Sequence, residues 1–428
     1  MTLSDCGGQR LPAGRCRCPL FTDFLCSNGF PPAPPAPARA PRAPTSLREV
    51  RYLRPVRTGR GYRSSGMARG WAPSPYGVAV IRWRSGTILS VGRRWAGAAE
   101  LQVDIDGESA RALAYPALVG EPEAGDSVLL NTTALAMGLG TGGYALVIAI
   151  PGRLPADPRG PGHVVKARYT PHQAIVLGVD EQDSPHHATI AAADSIEAMP
   201  VVTADLHSAL PAIVAGIQAT RPSTRIAYVM TDGAALPIWF SRTVSDLAPA
   251  LCGTVTAGQA LGGDLEAVTV HTALLAARHV LDAEITVVCQ GPGNVGTGTP
   301  WGFSGVAAGE AVNAAAALGG RAVGSLRISG ADPRPRHRGV SHHSLTAYGR
   351  VALAAADLPV PAELAAGLSD DLTPLAHLHR IVEVPTDGLD AALRDSPVRL
   401  STMGRGLDED HDYFLASAAA GRHAATLL

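Results

Sequence analysis

Lysine is almost missing from this chain. Lys166 is the single lysine among 36 basic residues, and the others are arginine. With 47 glycines, 34 prolines and abundant alanine, this bias resembles the product of GC-rich codons, in which most lysines drift to arginine. Two readings of Lys166 follow. It is a chance survivor on the surface, or a position that needs a compact ammonium able to lose its proton when buried. The second makes it a candidate catalytic residue.

Charge of either sign is also scarce. Charged residues make up 17% of the chain and the formal net charge is −1, so bulk charge recruits neither nucleic acid nor an acidic membrane, although a local basic patch stays open. Apolar runs are short. Tyr144 to Pro151 is among the longest, well under the ~20 residues that cross a bilayer. No basic segment followed by a continuous apolar stretch marks a secretory signal. The expectation is a cytoplasmic protein with no membrane and no nucleic-acid partner. Nothing in the sequence speaks to its oligomeric state.

The six cysteines are unevenly placed. Cys6, Cys16, Cys18 and Cys26 crowd the start, and Cys252 and Cys289 lie far away, unlike the spread of pairs in a secreted disulfide protein. The first four do not have the CxxC…CxxC spacing of a structural zinc site.

What is present is a three-part chain. With 428 residues it can bury a sizeable core in two or three domains. Residues 1–75 carry a Pro-Ala-Arg tract, Pro31 to Pro44, and recurring arginines. They read as a disordered leader, either a basic tail or an extension upstream of a start at Met67. Residues 76–150 read as a small β-barrel or sandwich, with strands expected at Gly77–Trp83, Thr87–Val91, Glu100–Ile105, Ala110–Tyr115, Ser127–Asn131 and Tyr144–Ile150. A Pro/Gly-rich linker precedes residues 164–428, where strand-like and helix-like runs alternate. Strands are expected at Ala174–Val179, Pro200–Thr203, Arg225–Thr231, Glu284–Gln290, Arg321–Leu326 and Arg380–Val384. Helices are expected at His207–Ala219, Leu236–Ala250, Leu265–Leu281, Ser304–Leu318, Ser344–Ala356 and Asp412–Thr426. This alternation implies an α/β fold with a mainly parallel, doubly wound sheet.

Open parallel sheets bind ligands beyond their strands' carboxyl ends. Here those ends carry Asp205 and His207, then Asp232, then Gly291-Pro-Gly-Asn294-Val-Gly-Thr297-Gly-Thr299. Asp205 and Asp232 are candidates to hold a metal or move protons, with helix capping as the plain alternative. The glycine loop matches G-x-G-x-x-G, but the expected helix is delayed to about Ser304 and the nearest acid is Glu310. A nest for phosphate or carboxylate therefore fits better than a dinucleotide site. No Gly-Lys-Ser/Thr occurs.

Most of the fourteen histidines fall in the middle of the chain. His342 and His343 lie in Arg336-His-Arg-Gly-Val-Ser-His-His343 and, with Asp205 and His207, are candidate metal ligands. Adjacent histidines on a strand would face opposite ways, so only one of the pair is expected at a site. No H-E-x-x-H occurs. Asn294, Thr297, Thr299, Arg338 and Arg405 are candidate anion-binding residues. Arg405 sits between glycines in Met403-Gly-Arg-Gly406.

The stretches Val128-Leu-Leu-Asn-Thr-Thr-Ala-Leu135, His163-Val-Val-Lys-Ala-Arg-Tyr-Thr170, Glu181-Gln-Asp-Ser-Pro-His186, Gly291–Gly298, Arg336–His343 and Met403–Gly406 resemble a bacterial family catalogued as a domain of unknown function, DUF3866. The resemblance runs from Arg82 to His423. It implies a shared architecture and brings no activity with it. The residues themselves suggest an enzyme that binds a small anionic metabolite, phosphorylated or carboxylated, with a divalent metal as its cofactor. The alternatives are a non-catalytic metabolite-binding or regulatory protein and a protein-interaction scaffold.

Overall fold

The computed structural model describes residues 81–139 and 142–428. The leader, its four cysteines and most of the strand expected at 77–83 lie outside the described residues.

Five strands close into a barrel: β1 (Trp83–Trp95), β2 (Ala98–Ile105), β3 (Glu108–Ala114), β4 (Ser127–Asn131) and β5 (Ala145–Ala149). Alternation drives this closure, because Leu101, Val103, Val128 and Leu130 point inward and are fully buried. The barrel docks on the rest of the chain through Ala98, Leu113, Tyr115 and Tyr144, which pack with Trp95, Trp239 and Phe240. Trp95 Nε1 donates to the Trp239 carbonyl at 2.6 Å, tying the two bodies together.

A two-stranded ladder follows, β6 (Val164–Lys166) with β7 (Ala174–Val176). The run at 174–179 was expected in the main sheet. Its first part, Ala174–Val176, pairs with its own neighbour because Thr170 to Gln173 turns the chain back on itself, and its end reaches the main sheet, where Gly178 makes a parallel bridge to Glu266 and the Val179 N–H donates to the Glu266 carbonyl at 2.8 Å. The main sheet comprises β8 (Pro200–Ala204), β9 (Ile226–Thr231), β10 (Gly253–Ala257), β11 (Leu265–Ala267), β12 (Ile285–Gln290) and β13 (Arg321–Ser325). After a short ladder of β14 (Ile328–Ser329) with β15 (Gly339–Val340), it is completed by β16 (Asp357–Pro361) and β17 (Arg380–Val384). A last small ladder joins β18 (Ser401–Thr402) and β19 (Arg405–Gly406).

The eight strands run β11-β10-β9-β12-β8-β13-β16-β17, every ladder parallel. Several segments depart from the sequence reading. Strand β10 was not expected, and the helix expected at Leu236–Ala250 is α-helical only over Arg242–Leu247, with a 3-10 turn on each side. The helix expected from Leu265 starts as β11 and becomes helical only at Val270–His279, capped by the Thr269 hydroxyl. The helix expected from Ser344 begins at His342 and ends in a π-helical turn at Val351. Strand β16 was concealed by Pro359 and Pro361, which cannot donate to a ladder. It keeps full register with β17 but pairs with β13 only at Val323 and Asp357.

The sheet is wound both ways. Strands β8 and β9 lead leftward through helices Leu210–Thr220 and Arg242–Leu247. Their partners Leu210, Ile213, Val244 and Leu247 pack with Val202, Tyr228 and Val287 on one face. Strands β11 and β12 lead rightward through helices Val270–His279 and Ala307–Ala317, packed on Val201, Val229 and Val288 of the other face. Right-handed crossovers require this change of face when the winding direction reverses. The reversal falls between β8 and β12, which are neighbours. Among the described residues no helix is long and apolar enough to cross a membrane.

Helices Leu210–Thr220 and His411–Thr426 cross in close contact. A Cβ on Gly216 would lie 2.0 Å from the Ala418 carbonyl oxygen, and one on Gly421 would lie 2.0 Å from that of Ile213. Backbone cannot yield as a side chain can, so Gly421→Val should lower the unfolding free energy by about 1–3 kcal/mol, as overpacking does. Chemical denaturation checks this, and an unchanged midpoint would show that the helices separate freely.

Candidate functional site

The crevice at the winding reversal is built from two strand ends. Val201, Thr203 and Asp205 project to one face by strand alternation, and Val288 and Gln290 project to the same one. Gln290 bridges them. Its Nε2 donates to the Asp205 carbonyl and to Asn294 Oδ1, both at 2.8 Å. Asn294 Oδ1 also accepts from Ser304 Oγ at 3.1 Å and from the Gly305 N–H at 3.2 Å. Asn294 thus pins the glycine loop to the start of the next helical segment. Gly305 is needed there, because a Cβ would sit 2.8 Å from Asp205 Cβ.

Asp205 leads to the histidines. Its Oδ2 lies 3.3 Å from His343 Nδ1, and both side chains are buried. The Ser341 hydroxyl caps the short helix His342–Thr346 and contacts His337 Nδ1 at 2.7 Å. His337, His342 and His343 each offer one nitrogen, and the three atoms lie within 4.8 Å of one another. Phe303 stacks flat on His343, ring centroids 3.8 Å apart. Burial lowers His337 to about 3 and His342 to about 4, so both imidazoles are neutral at pH 7. The expectation that adjacent histidines diverge is corrected here. They occupy the first turn of a helix, where neighbours project about 100° apart and not oppositely.

A charged network backs this cluster. Asp332, fully buried, meets Arg334 at 2.8 Å, Arg327 at 3.1 Å and Arg405 at 3.2 Å. Arg334 above all holds its carboxyl well below the usual range. Arg405 also binds Asp410 at 2.8 Å, so its guanidinium is committed to carboxylates and not presented to a ligand. Arg327 Nη1 lies 3.4 Å from His343 Nδ1. Arg336 and Arg338 are exposed. Arg338 Nε donates to the Asp332 carbonyl, and Arg336 lies against Gly298 of the glycine loop. In that exposed loop, Thr297 and Thr299 hydroxyls contact each other at 3.1 Å and bond the Gly302 backbone.

The remaining candidates lie elsewhere. His207 is two residues from Asp205 but turns to the opposite face, where Tyr228 Oη at 3.2 Å and Ser241 Oγ at 2.7 Å take its two nitrogens. Burial lowers it to about 4. Asp232 accepts from the Gln259 N–H at 2.7 Å. Lys166 is fully buried, its Nζ 2.8 Å from the Ala267 carbonyl and 3.3 Å from both the Thr256 carbonyl and Glu266 Oε2. Burial pushes the Lys166 ammonium down and the Glu266 carboxyl up. All three ammonium protons have acceptors, so Lys166 anchors the β6–β7 ladder to the β10–β11 edge. Cys289 also faces away, its thiol pushed up to about 12 by burial.

Among the described residues, four buried side-chain polar atoms have no hydrogen-bond partner: Thr231 Oγ1, Gln259 Nε2, Gln290 Oε1 and His342 Nε2. Three of them end or follow β9, β10 and β12, and the fourth belongs to the histidine cluster. Such atoms are rare in folded proteins and each calls for an explanation. The sequence reading missed His337, Gln290 and Asp332. The spacing His-x4-His-His was the available signal for the first.

A family model described as a protein of unknown function (DUF3866) matches residues 111–421. No curated protein and no solved structure matches the chain.

The placement of His207 makes a pH prediction. An imidazole in the unfolded chain titrates near 6.5, so between about pH 6.5 and 4 the unfolded chain holds a proton that folded His207 does not. Stability contributed by neutral His207 is full above 6.5, falls as pH drops towards 4, and is level below. His207→Gln should make the slope of unfolding free energy against pH shallower by about one proton across that window. An unchanged slope would place His207 in contact with solvent.

Proposed function

The chain belongs to the DUF3866 family, and for it we propose a metal-assisted enzyme acting on a small anionic metabolite at the winding reversal of the sheet. The observation that carries this reading is the set of three imidazole nitrogens within 4.8 Å, together with a His342 Nε2 that is buried without a partner. A buried polar atom of that kind is costly unless something meets it.

The donor set fits a divalent ion. Three imidazoles without a thiolate suit zinc, or another borderline first-row metal, in a catalytic site that keeps a position open. Nitrogens at about 2.1 Å from a tetrahedral ion stand about 3.4 Å apart, so ring movements of about an ångström close the set. Asp205 on His343 and Ser341 on His337 occupy the Nδ1 atoms, which leaves the Nε2 atoms of those rings free to ligate, as outer partners of ligating histidines do. Bound there, the ion supplies Lewis acidity and lowers the pKa of a bound water. The chain supplies the rest. Phe303 walls one ring from water. Arg336 and Arg338, exposed beside the glycine loop, attract an anionic group and hold it near the ion. Burial above all, and then the positive charge of Arg327 and Arg334, keeps His337 and His342 neutral.

Metal analysis of the full chain tests this. One zinc equivalent should be lost in His342→Ala and retained in His377→Ala, which alters an exposed histidine away from the cluster. Asp205→Asn should weaken zinc affinity about 10- to 100-fold. Unchanged zinc content in His342→Ala would overturn the reading. A stable metabolite complex without turnover would make the same pocket a sensor and not an enzyme.

A further inference from the structure

A second cavity lies between the barrel and the sheet, with a volume of about 470 Å³. That is the size of a small-molecule site, typically about 300–1,000 Å³. Its walls come from both bodies: Tyr115, Leu118 and Leu146 from the barrel side, Leu236, Phe240 and Leu261 from the α/β side. Among the described residues, no Asp, Glu, Lys or Arg lines it. A charged group placed there would lose its hydration without a counter-charge, so the cavity selects an uncharged occupant.

One polar feature stands out against this wall. Tyr115 lines the cavity and is about nine-tenths buried, burial raises its hydroxyl well above the usual tyrosine range, and its oxygen, which is not among the fully enclosed unpartnered atoms, is left to the cavity. Each of the other polar side chains of the lining has at least one hydrogen bond. His172 Nε2 contacts the Ile148 carbonyl at 2.8 Å, Thr170 Oγ1 donates to the Ala167 carbonyl at 2.8 Å, and Asn131 Oδ1 accepts from the Thr133 N–H at 3.1 Å. Buried tyrosine hydroxyls normally find a partner.

The position is also suggestive. Ala235 follows β9, and Pro292 and Gly293 follow β12, so the cavity occupies the carboxyl edge of the sheet. The Ala235 N–H donates to the Pro292 carbonyl at 3.0 Å, which fixes this edge of the wall.

We infer that this cavity binds an uncharged, largely apolar small molecule carrying one polar atom that meets the Tyr115 hydroxyl. The inference stands apart from the histidine cluster and does not need a metal.

The probe is N-phenyl-1-naphthylamine, an uncharged aromatic whose fluorescence rises in apolar sites, titrated into the full chain. Binding should be saturable at one per chain and should be lost in Ala235→Phe and in Leu146→Trp, each of which fills the cavity, with both variants shown to be folded by their thermal transitions. His342→Ala should leave it unchanged, so failure here and failure of the metal reading are separable. Displacement by 2-naphthol and by 2-methylnaphthalene tests the hydroxyl. Tyr115→Phe should weaken 2-naphthol by about two- to tenfold and leave 2-methylnaphthalene unaltered. Absence of saturable binding, or binding that survives both filling variants, would overturn the proposal. Equal effects of Tyr115→Phe on the two displacers would remove the role of Tyr115.

Discussion

The reversal of winding between β8 and β12 is the constraint from which the candidate site follows. Right-handed crossovers send the chain after β8 to one face and the chain after β12 to the other. Two adjacent strands therefore end with their following segments diverging, and a crevice opens between them. Backbone groups exposed by that divergence need partners. Gln290 supplies them, holding the Asp205 carbonyl and Asn294 with one amide nitrogen. Asp205 is then fixed where it meets His343. The chemistry at the crevice is a consequence of how the sheet is wound.

The second determinant is electrostatic. Arg327, Arg334 and Arg405 converge on Asp332, and Arg405 also holds Asp410. Buried ion networks of this kind add little net stability over an apolar core, but removing one partner leaves a buried charge unmet. Their value here lies in position. They fix the segment between β14 and β15 that carries His337, and their positive charge disfavours protonation of the neighbouring imidazoles. A cluster of histidines beside exposed Arg336 and Arg338 is suited to a cation and an anion side by side.

Much of the architecture was legible in the sequence because it rests on periodicity. The barrel strands alternate cleanly, and β8, β9 and β12 are short apolar runs rich in β-branched residues that lead into turn residues. What was hidden had local chemistry working against it. Pro359 and Pro361 masked β16, and Leu265-Glu-Ala is too short to announce β11 ahead of a helix. At the site, Asp205, His342, His343 and Asn294 were visible as polar residues at element ends. His337 was not singled out, because its approach to the other two depends on the β14–β15 ladder bringing a loop back. Lys166 drew notice by its rarity, and the structure gives that rarity a structural meaning: a fully buried ammonium whose three protons are all accepted. His207 shows the limit of sequence adjacency, since two residues past a strand end can lie on opposite faces of a sheet.

The central claim is that three imidazoles and no thiolate hold a divalent ion at this crevice. The most direct measurement is X-ray absorption at the zinc edge on the full chain reconstituted with one equivalent of zinc. The account predicts nitrogen scatterers at about 2.0–2.1 Å with the multiple-scattering pattern of several imidazoles and no sulfur. Sulfur at about 2.3 Å, or a shell of oxygen alone, would contradict it.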